Sequence, residues 1–174
     1  MEGIKMVPCC SGSTCPSPVP VVSPTINRHA IDMSIWNPRS RGVHRRIGTV
    51  AAARHNGGLI PGVVMPGTTS CLIPWGGQAV AKMDYFVLCN PGGVELVWQR
   101  ANNGEVPRGA LQGGYSETGE KLYFGRLNHG GILLSGKVHP SHRVCYVPYN
   151  GQEVQNSSYE VLCLKTVPLA NLGF

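Results

Sequence analysis

Short apolar runs separated by turn residues set the pattern of this chain. Leu72-Ile73, Tyr85 to Cys89, Val94 to Trp98, Leu122 to Phe124, Val144 to Val147 and Tyr159 to Leu164 each favour extended backbone, and Gly, Pro, Asn or Ser stand between them. No long segment carries apolar residues at a 3.6-residue period, so helices are not expected. Several short strands at spacings of about ten residues predict an all-β, sandwich-like or barrel-like domain of short antiparallel strands.

The pattern also repeats. Residues 54–89 return as residues 128–163 at an offset of 74, with 15 identities in 36 aligned positions; ordinary composition gives roughly two or three by chance. His55, Gly57, Gly62, Pro66, Cys71, Pro74, Gly77, Tyr85, Val87 and Cys89 fall on His129, Gly131, Gly136, Pro140, Cys145, Pro148, Gly151, Tyr159, Val161 and Cys163. A tandem duplication predicts a pseudo-twofold domain in which differences between the copies mark a role kept by one and lost by the other. The shared glycines and prolines are expected at turns that need φ > 0 or a fixed φ. Tyr85/Tyr159 and Val87/Val161 keep a period of two, which places them on one core-facing side of a strand.

The chain divides on this reading into a Pro/Ser/Cys-rich leader (1–23) expected to be flexible and outside the core, a diverged first repeat (24–96), a well-preserved second repeat (97–164) and a C-terminal tail (165–174). At 174 residues it is large enough to bury a core without metal or disulfide staples. No apolar run reaches the ~18–20 residues of a membrane-spanning helix, and no signal-peptide core is visible near the N-terminus. A cytoplasmic location is the expectation.

Seven cysteines fall into two groups. Cys71, Cys89, Cys145 and Cys163 are repeat-related and sit in or beside apolar runs, which favours buried structural thiols over disulfides. Cys9, Cys10 and Cys15 lie in the leader without the paired spacing of a zinc site. His139, His142 and Cys145 invite a metal or nucleophile reading, but Pro140 breaks a shared helical face and Cys145 precedes a strand pattern. No catalytic residue, metal or cofactor is expected. His55 and His129 keep the same repeat position, which favours a structural histidine.

The formal charge is +6, and Arg39, Arg41, Arg45 and Arg46 cluster near its source. No aromatic residue interleaves them for base stacking, so nucleic acid is not the expected partner. A solvated loop, or weak contact with an anionic surface or membrane, is what the cluster supports.

The second copy runs Trp98, Gly104 to Ala110, Gly113-Gly114, Gly119 to Arg126, His129, Gly136-Lys137-Val138, Pro140 to His142, Val144 to Pro148 and Tyr159 to Leu162. In that order these elements resemble the DM-nine repeat family. The resemblance implies a β-rich pseudo-symmetric tandem-repeat fold, often a homodimer, and several characterised relatives are mannose-binding lectins of invertebrate pattern recognition. It implies mannose-containing glycans as the partner. In sugar-binding relatives an Asp just after the Gly-Gly pair and the Lys of the Gly-Lys-Val element hold the sugar. Lys137 matches the second; Ser116 stands in place of the first, with Glu117 beside it and Glu120 near. The expected glycan site therefore comprises Lys137, Ser116, Glu117, Glu120 and His129. In the first copy Val63 and Gly42 occupy the matching positions, so no site is expected there. The rival reading is a scaffold or interaction protein that keeps the repeat as a fold and uses the arginine cluster.

Overall fold

The computed structural model describes residues 5–9, 48–89 and 94–165. They form thirteen strands: β1 Lys5–Cys9, β2 Thr49–His55, β3 Gly58–Val64, β4 Cys71–Trp75, β5 Gln78–Lys82, β6 Tyr85–Cys89, β7 Leu96–Asn102, β8 Gln112–Tyr115, β9 Lys121–His129, β10 Ile132–His139, β11 Val144–Tyr149, β12 Gln152–Asn156 and β13 Ser158–Leu164. The all-β expectation holds. The described residues contain no helix long and apolar enough to cross a membrane.

The strand order reads β1-β6-β2-β3-β4-β5-β12-β11-β10-β9-β13-β7. Read from either end, this is the same order of repeat-equivalent strands, because β6, β2, β3, β4 and β5 are the counterparts of β13, β9, β10, β11 and β12 at the offset of 74. The halves meet at Gln78 opposite Gln152. Two backbone hydrogen bonds flank that pair, Ala79 N–H to Gly151 O and Glu153 N–H to Gly77 O, both 3.0 Å. Each is the image of the other under the repeat. Strand β8 lies off this path and bridges β9 and β3, which closes the described strands into a barrel-like ring. Its Gly114 is required there, since a Cβ would lie 1.9 Å from the Leu59 carbonyl oxygen.

Lys5–Cys9 corrects the expected boundary of the leader. This segment is a strand that pairs along its whole length with β6, Lys5 against Cys89 to Cys9 against Tyr85. Strand β7 pairs with β13 in the same way, Val97 against Cys163 to Ala101 against Tyr159. Thus β1 is the first repeat's counterpart of β7, reached at an offset of 92 rather than 74. Extra residues between β1 and β2 put it beyond any fixed-offset comparison. Cys10, Cys15 and the Arg39 to Arg46 cluster lie outside the described residues.

The core is duplicated as well. Ala53, Ile60, Cys71, Ile73, Tyr85 and Val87 form one cluster, and their counterparts Leu127, Leu134, Cys145, Val147, Tyr159 and Val161 form another. A third joins Val50 to Phe124 and Leu88 to Leu162, with Met6 and Trp98 packed on it. All three are repeat-related pairs, so this cluster straddles the pseudo-dyad and fastens the halves. Tyr159 is anchored by its hydroxyl, which donates to Glu105 O at 3.0 Å. Cys71, Cys145 and Cys163 are free buried thiols, as expected for structural cysteines. Burial pushes the Cys71 thiol up to about 12 and raises Cys145 further.

Local turn chemistry fixes the hairpins. Asn56-Gly57, Gly76-Gly77, Gly130-Gly131 and Asn150-Gly151 all have φ > 0 at both positions, the two-residue turn whose twist matches paired strands. Gly62 and Gly136 have another cause than a turn. They lie inside β3 and β10, where a Cβ would stand 2.2 Å from Leu72 O and 2.1 Å from Tyr146 O.

Candidate functional site

A cleft of about 280 Å³ opens where the two repeats meet. Trp75 and Gly76 come from the β4-β5 hairpin of the first repeat, while Lys137 on β10, Tyr146 on β11 and Glu153 on β12 come from the second. Ser116, Glu117, His139 and His142 line its other side.

Lys137 organises the floor. Alternation along β10 turns its side chain toward the first repeat, where Nζ donates to Pro74 O at 2.6 Å and lies 3.0 Å from Glu153 Oε1. The lysine and glutamate side chains are only 7% and 9% exposed. Trp75 and Tyr146 flank the ammonium, with ring centroids 5.3 and 4.9 Å from Nζ, a favourable placement of cation over aromatic faces. The Glu153 carboxylate is aimed by the first repeat, because Gly77 N–H donates to Oε2 at 2.8 Å. Its other oxygen, Oε1, is buried without a hydrogen bond. It faces the Lys137 ammonium as a charge pair in a nearly dry setting.

The expected site residues separate. Lys137, Ser116 and Glu117 do line the cleft. Ser116, however, is buried and committed to its own turn: Oγ accepts from Glu120 N–H at 3.0 Å and meets Thr118 Oγ1 at 2.9 Å. It closes a loop and does not replace a carboxylate. Glu117 is exposed at the rim. Glu120 turns away to Ser141, accepting from its backbone N–H at 2.8 Å and its hydroxyl at 2.6 Å. Burial alone would raise its carboxyl, but those two bonds and the nearby His139 and His142 hold it below the ordinary range. His129 is not in the cleft. It packs edge-to-face on Tyr149 at 4.8 Å, as His55 packs on Trp75 at 5.3 Å, which makes the shared histidine a support for the shared aromatic.

The carboxylate that faces Lys137 is Glu153, to which none of the family motifs points. The signal was present in the repeat. Glu153 corresponds to Ala79 and Lys137 to Val63, so both members of the charge pair vanish together in the first copy. Tyr146 likewise corresponds to Leu72. The matching place in the other half is apolar, and Val63 there is 2% exposed. Yet the first copy is not idle, since it supplies Trp75, the Pro74 carbonyl and the Gly77 N–H.

His139 and His142 stack face to face, centroids 3.6 Å apart and planes within 3°. His139 Nδ1 lies 3.3 Å from Ser141 Oγ and 3.5 Å from Glu120 Oε1, and His142 Nδ1 lies 3.1 Å from the Tyr146 hydroxyl. Burial, then His142, lowers the basicity of His139. Parallel stacked rings cannot direct their lone pairs to one ion, and the described residues contain no cluster of three metal-ligating side chains.

The chain is 30% identical to Natterin-3 of Thalassophryne nattereri over 132 residues, which is 75% of this chain and 32% of Natterin-3. It is 31% identical to Natterin-4 of the same fish over 94 residues, 53% of this chain and 22% of Natterin-4. It thus spans about a third or less of these longer relatives. Residues 48–156, from the strand before the first hairpin to the end of β12, match the DM9 repeat, and the chain belongs to the DM9 repeat family.

Proposed function

We propose that this protein is a non-catalytic carbohydrate-binding protein whose cleft takes one residue of a mannose-type glycan. The observation that carries this reading is the buried Lys137–Glu153 pair beside Trp75 and Tyr146. A sugar hydroxyl is both donor and acceptor, so a hydroxyl seated in the cleft can accept from the Lys137 ammonium while donating to the Glu153 carboxylate, both of which line it. Trp75 offers an apolar face for the C–H side of the ring. The cleft volume sits just below the usual small-molecule range of about 300–1,000 Å³, which suits a single sugar ring. Hydrogen bonds to charged groups contribute roughly 1.5–3 kcal/mol each, and a millimolar site needs only about 4 kcal/mol. The pair supplies enough without the carboxylate that Ser116 lacks. Catalysis is disfavoured by the same geometry: Cys145 is buried with a raised thiol, and Ser141 is exposed and held by Glu120.

The test is calorimetric titration with methyl α-mannoside and a mannose-rich glycan, of the wild type and of Lys137→Val/Glu153→Ala. The double variant copies the first repeat's residues at these positions. Binding by the wild type and at least tenfold weaker binding by a folded double variant is the expected result. Failure of the wild type to bind either glycan, or undiminished binding by the folded variant, overturns the reading.

A further inference from the structure

One wall of the cleft hangs on a chain of contacts that continues beyond the Lys137–Glu153 pair. Tyr146 flanks the Lys137 ammonium, and its hydroxyl is met by His142. His142 is exposed, on the turn between β10 and β11, and its ring rests on buried His139. His139 is in turn fixed by Ser141 and Glu120. We infer that His142 is a positioning residue for Tyr146 and that the stacked pair makes the cleft acid-sensitive, a reading that rests on the glycan site proposed above.

The geometry decides the direction. Two neutral imidazoles, or one neutral and one charged, tolerate a 3.6 Å stack, whereas two cations at that separation repel strongly even with solvent screening. The surroundings do not relieve a second positive charge. Lys137 on β10 adds to it and lowers the basicity of His139, while Glu120 and Glu117 from the β8-β9 turn act in the opposite sense. Glu153 on β12 is already paired with Lys137, and Tyr146 on β11 is an uncharged phenol whose ionisation is pushed upward by burial and by Glu153. On double protonation the exposed ring is the one free to leave. His142 then releases the Tyr146 hydroxyl, and the wall beside Lys137 loosens.

The experiment compares affinity for the mannose-rich glycan at pH 7.5 and pH 5.0, in the wild type and in His142→Gln, which keeps an amide donor but cannot titrate. The quantity read is the ratio of the two affinities within each protein. The wild type is expected to bind at least threefold more weakly at pH 5.0, and the variant's ratio to stay near one. Equal wild-type affinities at the two pH values, or an unchanged ratio in the variant, overturn the inference and leave the glycan reading intact. If the wild type binds no glycan at pH 7.5, the glycan reading fails by itself. An NMR titration of the ligand-free protein then decides the switch: a shift of the Tyr146 ring signals with the second histidine step supports it, and ring signals that ignore that step overturn it.

Discussion

The carboxylate of Glu153 is held by the backbone N–H of Gly77, 2.8 Å away, so an acid from one repeat is oriented by a turn of the other. That carboxylate faces Lys137 in a nearly dry setting. Removing one member of a buried ion pair strands the other and costs about 3–5 kcal/mol, whereas replacing both with apolar groups is often neutral. The first repeat already shows the apolar solution in Val63 and Ala79. Lys137→Val and Glu153→Ala singly are therefore expected to lower the urea unfolding free energy by roughly 3 kcal/mol, and the double variant by much less than the sum. Additive losses would contradict the coupling.

Gly136 gives a cleaner test of how tightly the strands approach. An alanine Cβ there would meet Tyr146 O at 2.1 Å, and a backbone carbonyl in a paired strand cannot rotate away as a side chain would. Gly136→Ala is expected to destabilise by about 1–3 kcal/mol, the usual range for overpacking. The same substitution at Gly151, which sits in an open turn with φ of 78°, should act through backbone strain alone. Thermal melts of the two variants are expected to place Gly136→Ala lower.

Acid should weaken the fold through Glu120. Its carboxyl titrates below its unfolded value, despite burial, because Ser141 donates two hydrogen bonds and His139 and His142 lie near. Stability from this group is present above the unfolded pKa of about 4.3 and is lost as pH falls through the lower folded value. Glu120→Gln mimics the protonated form. It is expected to cost about 1 kcal/mol near pH 7, and the gap from wild type should close as the pH falls below the unfolded value and through the lower folded one. A gap that persists unchanged into acid would mean the cost is steric.

Much of this architecture is legible in the chain because duplication writes each element twice. Tyr85/Tyr159 and Val87/Val161 were expected on a core-facing strand side, and all four are buried. Strand β1 was hidden by an insertion that shifts its offset, and closure through β8 depends on a long-range pairing of Tyr115 with Leu59 that no local pattern announces. The site was half legible. Lys137 stood out by motif, but Glu153 lies in a polar, alternating strand where a charge reads as solvated, and only its loss together with Lys137 in the first copy distinguishes it. Trp75 was overlooked because it belongs to the copy that lacks the lysine.

Trp75 and Tyr149 occupy the same repeat position, each with a histidine packed on its edge, yet only Trp75 lines the cleft. The two residues therefore separate a structural role from the proposed binding role within one fold. Replacing either by alanine removes an aromatic ring from a partly buried place, and unfolding measurements are expected to show losses of similar size, about 1–3 kcal/mol. Glycan affinity should not follow stability. Trp75→Ala removes the face on which a sugar ring would lie and is expected to weaken binding of the mannose-rich glycan at least tenfold. Tyr149→Ala, on the side where Val63 and Ala79 replace the charge pair, is expected to leave that affinity within about twofold, a difference of under 0.5 kcal/mol. Equal losses from the two variants would place the ligand on the pseudo-dyad instead of in the asymmetric cleft.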